Sequence, residues 1–136
     1  MSKADTIECA VVQEGRRMGV LPRYLGVRHM ISGEAMIFDM MRSMAAEYQG
    51  GSWDMLELSN DAFYMRPEGQ GDMRIVAPNG VCERITRDAA GLVATLYALN
   101  TLAWRSEEDR IIALYRRVLS FAKGHAEAGK IAALID

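Results

Sequence analysis

The sequence is poor in the residues from which most catalytic and metal centres are built. Its 136 residues include two histidines, His29 and His125, and two cysteines, Cys9 and Cys82. Neither histidine has a cysteine or carboxylate at a spacing typical of metal ligands, and the chain contains no CxxC pair, P-loop or GxSxG motif. The sequence therefore predicts no metal, no cofactor and no enzymatic activity. A Ser–His–Asp triad stays open, because its members meet only in space.

Long apolar runs are also missing. No segment approaches the roughly 20 residues that span a membrane, and residues 1–17 contain no apolar core of signal-peptide length. These absences predict a cytoplasmic protein with free thiols and no membrane partner. We expect Cys82 to be buried, because it lies in an alternating strand pattern, and Cys9 to be exposed in a polar leader. A disulfide between them is the less favoured alternative.

Neither sign of charge is in excess. Sixteen Lys and Arg residues face eighteen Asp and Glu residues, which gives a net charge of −2. The chain is not basic enough to favour strong DNA binding. It is also not acidic enough to imitate a duplex, which carries about one negative charge per 1.7 Å of axis. Because 50% of the residues are hydrophobic, the chain can form a globular core without a disulfide or metal.

The sequence predicts a flexible N-terminal arm at residues 1–16, with order at most near Val11 and Val12, and a single domain at residues 17–136. Pro22 disfavours helical backbone at the residue before it, so the segment that follows the arm is expected to be extended. The first helix is predicted at residues 32–49, with an apolar stripe at the spacing of helical turns. The stripe contains Ile37, Met41, Met44 and Tyr48. Its methionines suit either a core or a pliable partner groove.

Alternating apolar and polar residues then predict strands, and helical periodicity returns near the C-terminus. Four short strands separated by turns, at residues 53–58, 63–66, 73–77 and 81–85, indicate one antiparallel meander. Thr86 is a candidate cap for a second helix that is apolar nearly all round and is therefore expected at the centre of the fold. Two further helices are predicted, the third capped by Ser106 and ending at Lys123, the fourth at residues 126–134. The predicted class is α+β, in the order α-ββββ-ααα.

The first hairpin carries the candidate interaction surface. Strand alternation sends Phe63 and Met65 to one face and Tyr64 and Arg66 to the other. If the helices cover one face only, Tyr64 and Arg66 remain near solvent beside the polar tip. The candidate surface therefore consists of Asn60, Asp61, Tyr64 and Arg66. In the alternative, Tyr64 packs against the N-terminal segment and Arg66 is solvated.

The aromatic residues of this hairpin allow a second interpretation. Trp53, Phe63 and Tyr64 lie near Arg66 in the sequence, and such a group could stack on single-stranded bases. A small nucleic-acid-binding module is therefore the alternative function. An ordinary sheet face, with these rings in the core, explains the same residues.

Several longer motifs occur together and in a fixed order. They are LPRYLG at 21–26, GEAMIFDMM at 33–41, YQGGSWDMLELSNDAFYMRP at 48–67, DAAGLVATLYALNTLAW at 88–104 and GHAEAGKIAALID at 124–136. In combination they are highly specific, and the chain resembles the ArdB/KlcA antirestriction family, found on plasmids and other mobile elements.

The resemblance implies a function in the evasion of host defence. Proteins of this family protect incoming DNA from type I restriction-modification systems and are known neither for an enzymatic activity nor for a cofactor. The implied partner is the type I restriction enzyme complex, reached directly or indirectly. A weak homodimer also remains open.

Overall fold

Helices and strands follow one another in the order β1-α1-β2-β3-β4-β5-α2-α3-α4 over residues 6–136, the part of the chain that this computed structural model describes. The strands are β1 (Cys9–Val11), β2 (Trp53–Leu58), β3 (Ala62–Pro67), β4 (Met73–Val76) and β5 (Cys82–Ile85). The helices are α1 (Val20–Met44), α2 (Arg87–Ser106), α3 (Asp109–Lys123) and α4 (Ala128–Ile135), and a 3₁₀ helix at Glu14–Gly19 leads into α1. The class is α+β, as predicted.

Part of the predicted flexible arm at residues 1–16 is ordered as strand β1. Strand β1 pairs antiparallel with β2, with Cys9 opposite Leu58 and Val11 opposite Leu56. A strand of three residues is too short to produce a visible alternation, so its partner strand rather than its own sequence orders it. Residues 1–5, the start of the predicted arm, lie outside the described residues.

Helix α1 begins twelve residues before the predicted start at residue 32, at Val20. Pro22 is its third residue, where the missing N–H would have no acceptor within the helix, so the proline is tolerated. The expected extended segment is therefore helical. The regular backbone is interrupted at Gly26, whose φ of 78° and ψ of 158° are not helical. The positive φ favours glycine at this position, whereas the Arg110 guanidinium, 2.4 Å from where a β-carbon would lie, is the end of a flexible side chain that can move aside.

The strands form two sheets rather than the predicted single four-stranded meander. One has the order β1-β2-β3 and the other consists of β4 and β5, all antiparallel. The outer edge of β3 is not available to β4, because the Met65 N–H on that edge donates to Oγ1 of Thr95 in α2, at 3.2 Å. A helix side chain thus occupies a position that a further strand would need.

Helix α2 lies at the centre, as its apolar sequence predicts. The Thr86 hydroxyl oxygen accepts a hydrogen bond from the Ala89 N–H at 3.2 Å, which confirms the predicted cap. Buried residues cover most of the helix, and Gly91 faces β3 at very short range. An ideal β-carbon at Gly91 would lie 2.2 Å from the Met65 carbonyl oxygen and 2.5 Å from the Arg66 α-carbon. Only glycine permits this approach.

The methionine stripe of α1 lies in the core. Ile37, Met41 and Met44 are buried, which favours the core interpretation of the stripe over a partner groove.

Both cysteines are free and exposed, so the expected burial of Cys82 is wrong. Its strand, β5, belongs to a two-stranded ribbon that leaves this position open. Within residues 6–136, no helix is long and apolar enough to cross a membrane.

The approach of α2 to β3 predicts the effect of adding one methyl group. Gly91→Ala is expected to destabilise the fold by about 1–3 kcal/mol or more, because its β-carbon would overlap β3 backbone that cannot move aside. Gly129→Ala in α4 is the matched control, because its β-carbon meets nothing within 4 Å, and it should be neutral or stabilising by about 0.5–1 kcal/mol. Thermal and urea unfolding of both variants measure the difference. Equal stabilities would contradict the packing described here.

Candidate functional site at the β2–β3 hairpin

The tip of the β2–β3 hairpin is held against α3. Asn60 Nδ2 donates to the Arg117 carbonyl at 2.9 Å, and Arg117 Nε donates to the Asp61 carbonyl at 3.0 Å. Asp61 has a positive φ of 65°, which an aspartate in a tight turn tolerates. Its carboxylate is 68% exposed and lies 3.2 Å from Arg23. Asp61 therefore faces outward at this end of the hairpin, whereas the Asn60 side chain is turned against α3.

Tyr64 does not lie on the surface, which corrects the expected exposed Tyr–Arg pair. Its exposure is 1%, its ring stacks on Phe121 of α3 with centroids 5.5 Å apart, and Cys9 Sγ lies 3.6 Å from its hydroxyl oxygen. Phe63, on the other face, stacks on Tyr24 of α1 at 5.4 Å. Helices cover both faces of the hairpin, so the assumption of one open face is wrong. Tyr64 instead contacts the N-terminal segment, as the alternative predicts.

Arg66 is half-buried and fully engaged in ion pairs. Its Nε donates to Asp54 Oδ2 at 3.1 Å, and its Nη1 donates to Asp88 Oδ1 at 2.8 Å. A simply solvated arginine, the other part of the alternative, is therefore also wrong. Since Asp61 and Arg66 are five residues apart on an extended strand, they are separated by roughly 16 Å. The four predicted residues do not form one patch: two lie at the tip and two join a cluster at the opposite end.

Asp88 is the centre of that cluster. One carboxylate oxygen accepts from the Tyr64 hydroxyl at 2.7 Å and from Arg66, and the other accepts from His125 Nε2 at 2.7 Å. Burial opposes ionisation of Asp88, but the hydrogen bonds from His125, Arg66 and Tyr64 outweigh it and lower its pKa to about 2. The same proximity, together with burial as the larger cause, raises the pKa of Tyr64. Asp88 is thus a charged acceptor and Tyr64 a neutral donor at any physiological pH.

His125 uses both ring nitrogens in this network. The Glu127 N–H donates to Nδ1 at 3.0 Å, so Nδ1 is the unprotonated nitrogen and Nε2 carries the proton that is donated to Asp88. Glu127 in turn accepts from the Thr86 N–H at 3.1 Å and from the Thr86 hydroxyl. The imidazole has no free lone pair with which to act as a base. Its geometry joins the α3–α4 turn to the start of α2.

An open cleft of about 370 Å³ adjoins the cluster. Arg87 borders it and is fixed by hydrogen bonds to the Gln70 and Glu68 carbonyls at 3.2 and 3.3 Å. The cleft lining contains two arginines and three carboxylates, so it has no strong charge of either sign; the residues are Asp54, Arg66, Pro67, Glu68, Gly69, Arg87 and Asp88. In residues 6–136, no group of three or more His, Cys, Asp or Glu side chains is arranged to hold a metal ion.

Sequence reasoning missed Asp88, His125 and Cys9 as members of one cluster. Asp88 is explained fully by its place in the first turn of a helix, where an acid suits the positive end of the dipole. His125 has a capping or packing explanation at a helix start. No sequence signal joins residues that lie 37 and 55 positions apart.

The pKa of Asp88 predicts a specific loss of stability in acid. Because the folded-state pKa is about 2 against an ordinary value of 3.8, the stabilisation is complete above about pH 4 and is lost as the pH falls through about 2. The contribution is on the order of 2 kcal/mol. Urea unfolding should show that the wild type has a higher free energy of unfolding than Asp88→Asn at about pH 5, and that this difference becomes smaller towards about pH 2. A difference of constant size would contradict this account.

Comparisons with known proteins agree with this fold. The family model described as antirestriction protein matches residues 46–136. Two Escherichia coli proteins named antirestriction protein KlcA are 43% identical over 132 residues and 36% identical over 135 residues. The first alignment covers 92% of this chain and 90% of that protein, and the second covers 96% and 95%.

A solved structure gives the same result for the fold. It comes from work on the KlcA and ArdB proteins, whose fold was described as novel, and it superimposes with a TM-score of 0.86 at 38% identity. The match covers 96% of this chain and 95% of the solved one. Both the sequence and the fold are similar to those of the KlcA proteins over nearly the whole length of the chain, and the chain belongs to the antirestriction protein family.

Proposed function

We propose that this protein protects incoming DNA from type I restriction-modification systems inside the cell. Its membership of the antirestriction family is the observation that carries the proposal. The related KlcA and ArdB proteins are described as having antirestriction activity against type I DNA restriction systems in vivo but not in vitro. By analogy, protection by this chain depends on a component of the living cell, and it reaches the restriction complex through that component.

Protection does not occur through imitation of DNA. A DNA mimic needs a row of unpaired negative charges at the spacing of phosphates, about one per 1.7 Å of axis. Here, carboxylates from several parts of the fold lie within 4.0 Å of an arginine; they are Glu14, Asp39, Asp54, Glu57, Asp61, Asp88 and Glu108. Pairing and a net charge of −2 together support a surface of alternating sign.

The protein acts as a binding protein and not as an enzyme. The strongest candidate for acid–base chemistry, the Asp88–His125 pair, supports this because the remaining imidazole nitrogen is occupied by the Glu127 N–H. The second histidine, His29, is also engaged by a carboxylate, because its Nε2 lies 2.6 Å from Oε2 of Glu108, beside Arg28. The nucleic-acid alternative is weakened by burial, because Trp53, Phe63 and Tyr64 are all in the core and have no face open to a base.

The contact surface includes the tip of the β2–β3 hairpin. Asp61 is the member of the predicted set with a largely exposed charged group, and Asn60 holds it in position through α3. Tyr64 and Arg66 lie away from the tip, and their hydrogen bonds to Asp88 hold β3 against α2. The proposed surface is thus smaller than the sequence indicates, and two of its predicted members instead stabilise the fold.

Phage plating tests the function. Expression of this protein should raise the plating of unmodified phage on a host with a type I system and leave plating unchanged on the same host without that system. The same protein, added to purified restriction enzyme and DNA, should not slow cleavage. Unchanged plating at an expression level verified by immunoblot would contradict the proposal, and inhibition in the purified reaction would contradict the need for a cellular component.

The tip is tested separately with one charge. Asp61→Asn removes the carboxylate and keeps a residue that tolerates positive φ, so the fold should be unchanged and protection should fall. Asp39→Asn is the matched control, because Asp39 is also exposed and paired with an arginine, at the distance of one helical turn. Exposed pairs contribute little to stability, about 0–1 kcal/mol, so both variants should unfold like the wild type. Equal protection by both would rule out the tip.

A further inference from the structure

Trp104 is the exposed aromatic residue that the proposed function does not use. It lies in the last turn of α2, and 79% of it is exposed, whereas Trp53 is buried. A tryptophan exposes more apolar area to water than almost any other residue, and burial of such a side chain is a frequent source of binding energy at protein interfaces.

A recess lies directly beside this ring. It forms an open cleft of about 500 Å³ between α2 and α3. Its lining is mainly apolar and aromatic, with one acid and one base; the residues are Asn100, Ala103, Trp104, Glu107, Ile112, Tyr115 and Arg116. The same small surface therefore has a projecting ring and a cavity large enough to receive one.

The cleft is bordered by one negative and one positive side chain that are not paired with other described residues. Glu107 and Arg116 are both exposed, and neither side chain makes an ion pair or hydrogen bond within residues 6–136. The position of Glu107 is fixed by the backbone, because it ends α2 in the left-handed conformation with φ of 56°. Arg116 projects from α3, so the two charges stand on different elements and face outward beside the ring.

We propose that this face pairs with a second copy of the same chain. In a two-fold interface each surface meets itself, so a projection must fit beside a recess and every charge must meet its opposite. The Trp104 ring of one protomer enters the cleft of the other, and Glu107 of each protomer faces Arg116 of its partner. A surface with a projection, a recess and one charge of each sign satisfies these conditions, and a single-sign surface would not.

The small area of the tryptophan contact favours a weak dimer. A buried tryptophan side chain covers on the order of 150–250 Å², and specific stable interfaces bury at least about 1,200 Å² in total. The two tryptophans alone therefore bury well below that area. We expect the dimer to dissociate at micromolar or higher concentrations. This inference does not depend on the proposed function.

Sedimentation velocity over a series of protein concentrations tests the dimer. The wild type should shift from monomer towards dimer as the concentration rises, and Trp104→Ala should raise the dissociation constant at least about tenfold. Ile31→Ala is the matched control, since Ile31 is similarly exposed, at 75%, but does not line the cleft. Because both side chains are exposed, both variants should fold. A wild type that stays monomeric at millimolar concentration, or a Trp104→Ala variant that dimerises like the wild type, would overturn the proposal.

Charge exchange tests the orientation. Glu107→Arg gives the face two positive charges, and Arg116→Glu gives it two negative charges, so each variant alone should dimerise more weakly than the wild type. An equimolar mixture of the two should form heterodimers, because unlike faces then meet. If the mixture associates no better than either variant alone, the two-fold arrangement is wrong.

Discussion

The close contact between α2 and β3 at Gly91 is the constraint on which the rest of the structure depends. With no side chain at this position, the helix axis approaches the strand until a β-carbon would overlap the Met65 carbonyl. At that distance the Thr95 hydroxyl oxygen accepts a hydrogen bond from the Met65 N–H on the outer edge of β3, and β4 and β5 form a separate ribbon. The first turn of α2 is also brought over β3, where Asp88 meets Tyr64 and Arg66. The short distance between α2 and β3, which glycine permits, is therefore shared by the Thr95 bond to β3 and by the Asp88 cluster.

Asp88 in turn connects parts of the chain that are far apart in sequence. Its three donors come from β3 and from the turn between α3 and α4, and Tyr64 extends the network to Cys9 in β1. A buried carboxylate with several donors is stable, whereas loss of one donor leaves part of its desolvation uncompensated. The α3–α4 turn therefore bonds Asp88 directly, and the N-terminal strand is linked to it through Tyr64.

Local signals predicted the elements, and long-range contacts determined what the sequence could not predict. The apolar circumference of α2, its Thr86 cap and the alternation in β2 and β3 are properties of neighbouring residues, and they were sufficient for the α+β class. The prediction of an extended segment at Pro22 was wrong because proline is tolerated in the first turn of a helix. The sequence around Pro22 does not show that a helix begins there. The predicted exposure of Tyr64 was wrong because alternation along a strand shows which face of the sheet a residue lies on, but not whether a helix covers that face. The family resemblance predicted the antirestriction family correctly, whereas the four residues of the candidate surface do not lie together in one patch.

The hairpin tip contains one buried hydrogen-bond acceptor without a donor, and this affects how readily the tip can separate from α3. Asn60 Oδ1 is buried and has no hydrogen-bond partner among the described residues, although Nδ2 of the same amide is bound to α3. A buried acceptor without a donor costs about 1–3 kcal/mol, and water would satisfy it as soon as the tip separates from the helix. Separation therefore requires less free energy than the two tip–helix hydrogen bonds alone suggest. We therefore expect the tip to open locally before the fold unfolds globally.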